Sequence, residues 1–452
     1  MMLTQLEQNN IGRLHGDDVH FESLSTDTRT IKPGQLFVAL RGDSFDAHSL
    51  LDEAHEKQAC ALVVEQKCDI NLPQLIVNDT TLALGEIAAQ FRKGFSGRIV
   101  AVTGSSGKTT VKGMLHAVLS KVGRCMATQG NYNNHIGVPL TLGRLNDDYD
   151  YAVVEAGMSN PGEINYLVSL ILPDVAVVTN VQEAHIGQFE SLADVALEKT
   201  QLYRSANVPI AVVNLDDAEV VKRLPEFSSN TIVGFSKKEK PAAISLSGYV
   251  WAKNISIDRL GCASFIMQSG STGVGVHLNV PGEHNVDNAL AVAAVSVALD
   301  VPLEKVKFGL EAFSGVSGRM QILSGLNNST VVNDTYNANP GSLKAAIDYL
   351  SHFEGSTLVC GDMAELGEQS QKLHHDIGTY AKEKNIGRVL TVGKCSKAMS
   401  DAAKVGQHYE TKDALVDEVT KNLGEQSVVL VKGSRSAAME SVVEALTQEG
   451  NG

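Results

Sequence analysis

The sequence has no Cys-x-x-Cys pair, no apolar run of membrane-spanning length, no surplus of positive charge and no short internal repeat. Each absence removes a class of protein. Cys60, Cys68, Cys125, Cys262, Cys360 and Cys395 are scattered, so neither a zinc module nor a disulfide framework is indicated, and reduced thiols in a cytoplasmic protein are the simplest expectation. The most apolar run, Ala289 to Leu299, is well short of the roughly 20 residues a membrane helix needs. The start, MMLTQLEQNN, lacks a basic segment followed by an apolar core, so neither export nor anchoring is expected. A formal net charge of −14 opposes long-range approach to nucleic acid or anionic membrane. Small-molecule partners are therefore expected, with any anionic ligand meeting a locally positive pocket, and a monomer is the simplest assembly.

At 452 residues the chain has room for about three domains, taking roughly 100 to 200 residues for each. Apolar and charged fractions of 43% and 20% are those of an ordinary folded protein, which excludes disorder as the main theme. From about residue 98, β-branched runs alternate with helical patterns: Arg98 to Thr103, Tyr151 to Glu155, Asp174 to Thr179 and Pro209 to Asn214. Nearly continuous apolar runs of this length predict parallel strands buried on both faces, with helices as crossovers. A second series, Thr330 to Asn333, Thr357 to Cys360, Val389 to Val392 and Val428 to Lys432, comes after a turn-rich stretch at Phe313 to Ser317. The first 97 residues have shorter segments and read as a small separate α/β domain. The expected fold class is thus α/β in three domains, 1–97, 98–312 and 313–452, the central one built on a mostly parallel sheet.

Thr103-Gly104-Ser105-Ser106-Gly107-Lys108-Thr109-Thr110 lies between a buried strand and a helix whose apolar face is Val111, Met114, Leu115, Val118, Leu119 and Val122. This is the place for a phosphate loop: backbone N–H groups and the helix N-terminus face the anion, Lys108 neutralises phosphate, and the Thr109 hydroxyl is a ligand for Mg²⁺. Val102 occupies the first glycine position of the usual pattern. An ordinary Gly/Ser turn is the plain alternative, and the flanking strand and helix argue against it. In open α/β sheets ligands collect at the carboxyl ends of strands. Those ends carry Glu155 and Asn180, with His185 a few residues further on. Singly, Glu155 is as well read as a solvated acid and His185 as a structural histidine; beside a phosphate loop, both are candidates for the surroundings of Mg²⁺.

Lys199 reads by default as a solvated helix lysine. Asn285 and Asn288, three apart at the start of a small-residue helix, share a face and suit either a nucleobase edge or helix capping. Arg319 suits a phosphate and Asp334 a ribose hydroxyl, although a surface salt bridge also accounts for them. Lys432 and Arg435 sit at the end of the last strand, where a carboxylate substrate would be recognised.

Together, TGSSGKTT, NYNNHIGVPLTL at 131–142, VVEAGMS, EAHIGQF, GEHNVDNALA, NDTYNANPGS and GDMAELGE resemble the Mur ligases over essentially the whole chain. The resemblance implies an N-terminal domain that holds a UDP-linked substrate, a central ATPase domain and a C-terminal Rossmann-like domain that closes over ATP and the incoming amine. NDTYNANPGS points to the branch that joins D-Ala-D-Ala to UDP-MurNAc-tripeptide, through an acyl phosphate, with release of ADP and phosphate in peptidoglycan precursor synthesis. By the same resemblance Gly104, Ser105, Ser106, Gly107, Lys108, Thr109 and Thr110 bind ATP together with Asn285, Asn288, Arg319 and Asp334. Thr109, Glu155 and His185 fall on metal-binding positions, and Lys199 on a lysine that becomes carbamylated and helps to hold a second metal. Ser25, Asp27, Thr28, Arg29, Asn133, Asn134, His135, Asn337, Lys432 and Arg435 are the substrate-binding candidates. Ala47 stands where the family commonly has glycine in an Asp-Gly-His turn. Another ligase of the same superfamily, adding the third stem residue or extending folylpolyglutamate, stays open, as does a P-loop kinase.

Overall fold

The computed structural model describes residues 1–42, 45–182, 189, 191–204, 208–227, 231–239, 245–364 and 366–447. The chain forms two compact units, one of residues 1–254, 265–276 and 286–310, the other of residues 255–264, 277–285 and 311–452.

The first unit opens with a small sheet of β1 (Arg13–His15), β2 (Ser23–Ser25), β3 (Gln35–Val38), β4 (Ala61–Val64) and β5 (Gln74–Ile76), in the order β1-β5-β4-β3-β2. Its strands are parallel except β1, which runs antiparallel to β5. The helix Thr80–Gly94 comes next, its start fixed by the Asp79 side chain, which accepts hydrogen bonds from the Thr81 and Leu82 N–H groups. Ala83, Leu84, Ile87 and Ala88 on its buried face belong to one apolar core with Leu36 and Val38 of the small sheet and with Ile164 and Leu167 further along the chain. Residues 1–97 therefore share a core with the strands and helices of the central region.

That region is built on a nine-stranded sheet: β6 (Arg98–Thr103), β7 (Cys125–Ala127), β8 (Tyr151–Glu155), β9 (Val175–Val178), β10 (Ile210–Asn214), β11 (Thr231–Ser236), β12 (Gly248–Ile257), β13 (Cys262–Ser269) and β14 (Thr272–Pro281), in the order β14-β13-β12-β11-β10-β9-β6-β8-β7. From β7 to β12 all neighbours are parallel. The expected strands are present, and β6, β8, β9 and β10 are buried almost throughout, as strands covered on both faces must be. The extension β11 to β14 was not foreseen. Along β14 exposed and buried residues alternate, the mark of a strand covered on one face, and a search for continuous apolar runs passes over such a pattern.

One buried polar group holds two of the parallel strands together. Tyr203 is fully buried, its hydroxyl donating to the Val212 carbonyl at 2.6 Å and accepting from the Val178 N–H at 2.7 Å. Burial pushes this phenol up, so it keeps its proton. Tyr203→Phe leaves two buried backbone groups without that partner and is expected to cost about 1–3 kcal/mol in urea unfolding; an unchanged midpoint would show that the hydroxyl contributes nothing.

The second unit is built on β15 (Gln321–Ser324), β16 (Thr330–Asp334), β17 (Thr357–Cys360), β18 (Arg388–Val392), β19 (Gly406–Tyr409) and β20 (Val428–Lys432), in the order β15-β16-β20-β17-β18-β19. Only β15 is antiparallel to its neighbour. Val332, Leu358, Val389 and Leu430 face one apolar cluster, whereas Val331, Val359, Leu390 and Val431 face another. Successive residues thus enter opposite cores, and the sheet is covered on both sides. The helix Pro340–Leu350 starts at Asn339, whose side chain accepts from the Ser342 N–H while the Ser342 hydroxyl accepts from the Asn339 N–H, with Pro340 at the first helical position.

Candidate active site

Strand β6 ends at Thr103 and the helix Lys108–Leu119 begins after the loop 104–107. Gly104 and Gly107 both have positive φ, +151° and +78°. A Cβ on Gly104 would lie 1.9 Å from Thr179 Oγ1, and one on Gly107 would lie 2.4 Å from Asn288 Oδ1. Both positions accept only glycine, for conformation and for space. The loop is tied to the end of β9: the Ser105 N–H donates to the Asn180 carbonyl at 2.9 Å, the Ser106 N–H to Asn180 Oδ1 at 2.9 Å, and the Thr179 hydroxyl to the Ser106 carbonyl at 2.6 Å. Asn180, a strand-end candidate from sequence, thus shapes the loop. Lys108 Nζ is folded back onto the Gly104 carbonyl at 2.8 Å, which places a cation at the mouth of a helix N-terminus.

Glu155 ends β8 beside this loop and is 1% exposed. Its Oε1 accepts from Asn133 Nδ2 at 2.9 Å and from the Thr109 hydroxyl at 3.4 Å. Its Oε2 lies 3.0 Å from Lys112 Nζ and, although buried, makes no hydrogen bond. The two charges are close enough to pair, yet Oε2 has no hydrogen-bond donor. A hydroxyl and a buried carboxylate with an unused lone pair are hard oxygen donors of the kind Mg²⁺ takes. His185, the other expected ligand, lies outside the described residues. Among the described residues, no three His, Cys, Asp or Glu side chains gather as a ready-made metal cluster.

Lys199 lies in the helix Leu192–Arg204 and is 2% exposed. Burial, reinforced by repulsion from Lys108 and opposed by Glu198, pulls its ammonium down to about 7. Glu198 faces away from that role, accepting from the Gly162 and Ile164 N–H groups at 2.9 Å each.

The substrate candidates of this unit fall into two sets. Asn133 reaches Glu155, and Asn134 Oδ1 accepts from the Ile136 and Gly137 N–H groups, opening the helix Gly137–Leu142; His135 is exposed. Arg29 forms a fork with Asp27 at 2.8–3.2 Å, Ser25 Oγ contacts the Asp27 backbone, and Thr28 is buried. Ala47 needs no glycine: it is absent from the positive-φ residues and opens a short 3₁₀ turn capped by Asp46, whose carboxyl the His48 N–H holds down to about 2. Two of the cavities, of about 600 and 560 Å³, one lined by Phe21, Phe91 and Phe95 and one by His15, Lys67 and Gln74, share no residue with the 104–107 loop.

In the second unit, Lys432 is 2% exposed. Its ammonium is taken up by Asp334 Oδ2 at 2.5 Å and the Asn337 carbonyl at 2.9 Å, so it does not reach solvent as a strand-end cation. Burial pushes the Asp334 carboxyl up, against the pull of Lys432. Its Oδ1 accepts from the Met320 N–H at 3.1 Å. The Arg319 guanidinium stacks 4.3 Å from the centre of the Tyr336 ring. Asn285 donates to the Pro281 carbonyl at 2.8 Å, Asn337 Oδ1 accepts from the Ala338 N–H, and Arg435 is exposed and paired with Glu440. Sequence reasoning singled out neither Lys112 nor Thr179. The signal for Lys112 was its position four residues after Lys108, on the same helix face.

The profile of the Mur ligase middle domain matches residues 102–296, and that of the Mur ligase, glutamate ligase domain matches residues 318–435. The chain belongs to the Mur ligase family. It is 44% identical to the UDP-N-acetylmuramoyl-tripeptide--D-alanyl-D-alanine ligase of Escherichia coli K12, across 99% of this chain and 98% of that one. Among solved Mur ligases, MurF from Acinetobacter baumannii superposes with a TM-score of 0.85 at 32% identity, covering 98% of this chain and 97% of that one. MurF from Thermotoga maritima in complex with ADP superposes with a TM-score of 0.73 at 26% identity, covering 94% and 96%. The expected α/β fold class with mostly parallel sheets is thus the fold of this Mur ligase. Among its described residues no helix is long and apolar enough to cross a membrane, and all six cysteines carry free thiols.

Proposed function

We propose that this chain is an ATP-dependent peptide ligase that joins D-Ala-D-Ala to UDP-MurNAc-tripeptide, giving the pentapeptide, ADP and phosphate in the cytoplasm. The likeness over its whole length to ligases named for that reaction carries the reading. It divides into a UDP-substrate domain (1–97), an ATPase domain (98–312) and a ligase domain (313–452), each with a sheet of its own, and works as a monomer.

A carboxylate is a poor electrophile, so it is activated first: a carboxylate oxygen of the tripeptide attacks the γ-phosphorus, the bond to the β-phosphate oxygen breaks, and ADP leaves. The free amine of the dipeptide then attacks the acyl carbon, the tetrahedral intermediate expels phosphate, and the amine nitrogen loses its proton. Both steps crowd negative charge, and this chain's residues answer it. The 104–107 loop and the helix N-terminus bind the phosphates, and Lys108 moves from the Gly104 carbonyl to phosphate oxygen. Thr109 and Glu155, with His185, would hold Mg²⁺, which when bound supplies charge neutralisation to the phosphates. Lys199, neutral in part near pH 7, is free to be carbamylated and to become an anion. Asn285 and Asn288 take the nucleoside. In the ligase domain, Arg319 takes a phosphate, while Lys432 acts through Asp334, which it orients towards ribose. Asn337 and Arg435 meet the incoming dipeptide. Ser25, Asp27, Thr28, Arg29 and the 133–135 segment meet the UDP-linked substrate.

The test is product formation from defined tripeptide, ATP and D-Ala-D-Ala, followed by mass spectrometry. ADP release should require both acceptors and yield an amide with free phosphate. Equal turnover with a single amino acid, or a stable phosphorylated acceptor, would overturn the assignment.

A further inference from the structure

Lys112 is a buried cation with no part in the reaction just described. Its side chain is 8% exposed, its Nζ donates to the Gly130 carbonyl at 2.9 Å, and it lies 3.0 Å from Glu155 Oε2. Burying an ammonium costs several kcal/mol unless it is paired, so Lys112 stays because Glu155 is there. The converse matters more. A fixed positive charge against one oxygen of a carboxylate repels any second cation that approaches the same group, and at this depth solvent screens the repulsion poorly. The Gly130 hydrogen bond prevents the lysine from swinging away. Asn133 and Thr109 meanwhile hold the other oxygen on the side of the phosphate loop.

We propose that Lys112 is a positioning residue that keeps Glu155 oriented yet closed to free divalent cation, so that the metal is accepted only with the nucleotide, whose phosphates supply the missing negative charge. The inference rests on Glu155 being a metal ligand. Mn²⁺ binding to the full-length protein, followed by electron paramagnetic resonance without and with ADP, tests both. Without nucleotide, Lys112→Met should bind Mn²⁺ at least about tenfold more tightly than the parent, from the loss of one unit charge beside the site. Lys112→Arg should behave as the parent does. Lys112→Gln, which keeps a donor for Gly130, gives the same reading should the methionine variant not fold. Unchanged Mn²⁺ affinity in the Met and Gln variants, even with lowered thermal stability, would reduce Lys112 to a structural ion pair and overturn the proposal. Mn²⁺ affinity in the presence of ADP that is unaltered by Glu155→Gln would instead overturn the ligand assignment beneath it.

Discussion

Lys108→Ala should lower ligase turnover by about a hundredfold to a thousandfold, the effect of deleting one preorganised charge-stabilising donor from a water-poor site. In the resting protein the Lys108 ammonium rests on the Gly104 carbonyl, within its own loop. It is already at the helix N-terminus where the proposed reaction puts the phosphates, so that reaction asks only that it exchange one oxygen for another. Among the described residues no neighbouring lysine can replace it. Lys112 is held by Glu155 and Gly130, and Lys199 is buried with its charge partly suppressed. The loop itself should survive the change, because Asn180 and Thr179 hold it through backbone and side-chain hydrogen bonds independent of Lys108. ADP release under saturating substrates measures the loss, and thermal unfolding should stay close to the parent. Activity within tenfold of the parent would mean that the 104–107 loop does not carry the transferred phosphate.

Lys199→Arg should reduce turnover by about a hundredfold or more, since it fixes a cation where the proposed mechanism calls for an anionic carbamate beside Mg²⁺. Carbon dioxide adds only to a neutral amine. With the ammonium pulled down to about 7, roughly half of Lys199 is neutral at pH 7, whereas an ordinary lysine at 10.5 is almost wholly charged. At limiting bicarbonate, carbamate content and activity should therefore climb as pH rises through about 7 and fall away below it. A carbonyl signal from ¹³C-bicarbonate, present in the parent and absent from the arginine variant, checks the modification directly; its absence from both would remove Lys199 from the metal site. Stability has the same sign. The unfolded chain holds this proton up to about 10.5 and the folded chain only to about 7, so the unfolded state binds more protons between those values. The cost of burying the charge is complete below about pH 7 and is relieved as pH rises across that window. Lys199→Met should flatten that part of the stability profile.

Much of the fold was legible because its strands are of one kind. Runs such as Arg98 to Thr103 and Val428 to Lys432 are apolar at nearly every position, since a parallel strand between two helical layers has no polar face to show. The strands β12 to β14 alternate instead, and without the continuous run there was nothing for that search to find. The loop 104–107 was legible for another reason: a tight strand-to-helix loop needs glycine at fixed places, and Gly104 and Gly107 each meet a neighbour that leaves no room for a Cβ. Ala47 shows the limit of a motif, because the turn where the family commonly has glycine is here a 3₁₀ turn capped by Asp46 that alanine enters without a positive φ.

The sequence by itself determined the class of chain, the family and the place of the glycine loop between β6 and its helix, because glycine spacing, apolar periodicity and long motifs are local properties that survive without coordinates. Only the tertiary structure decided which charges are free to act. Lys432 is drawn inside by Asp334, Lys112 is bound to Glu155, and Lys199 is stripped of water until its proton is loosely held. In sequence these are equivalent lysines. What separates them is burial and the distance to a partner, and both are set by residues tens of positions away.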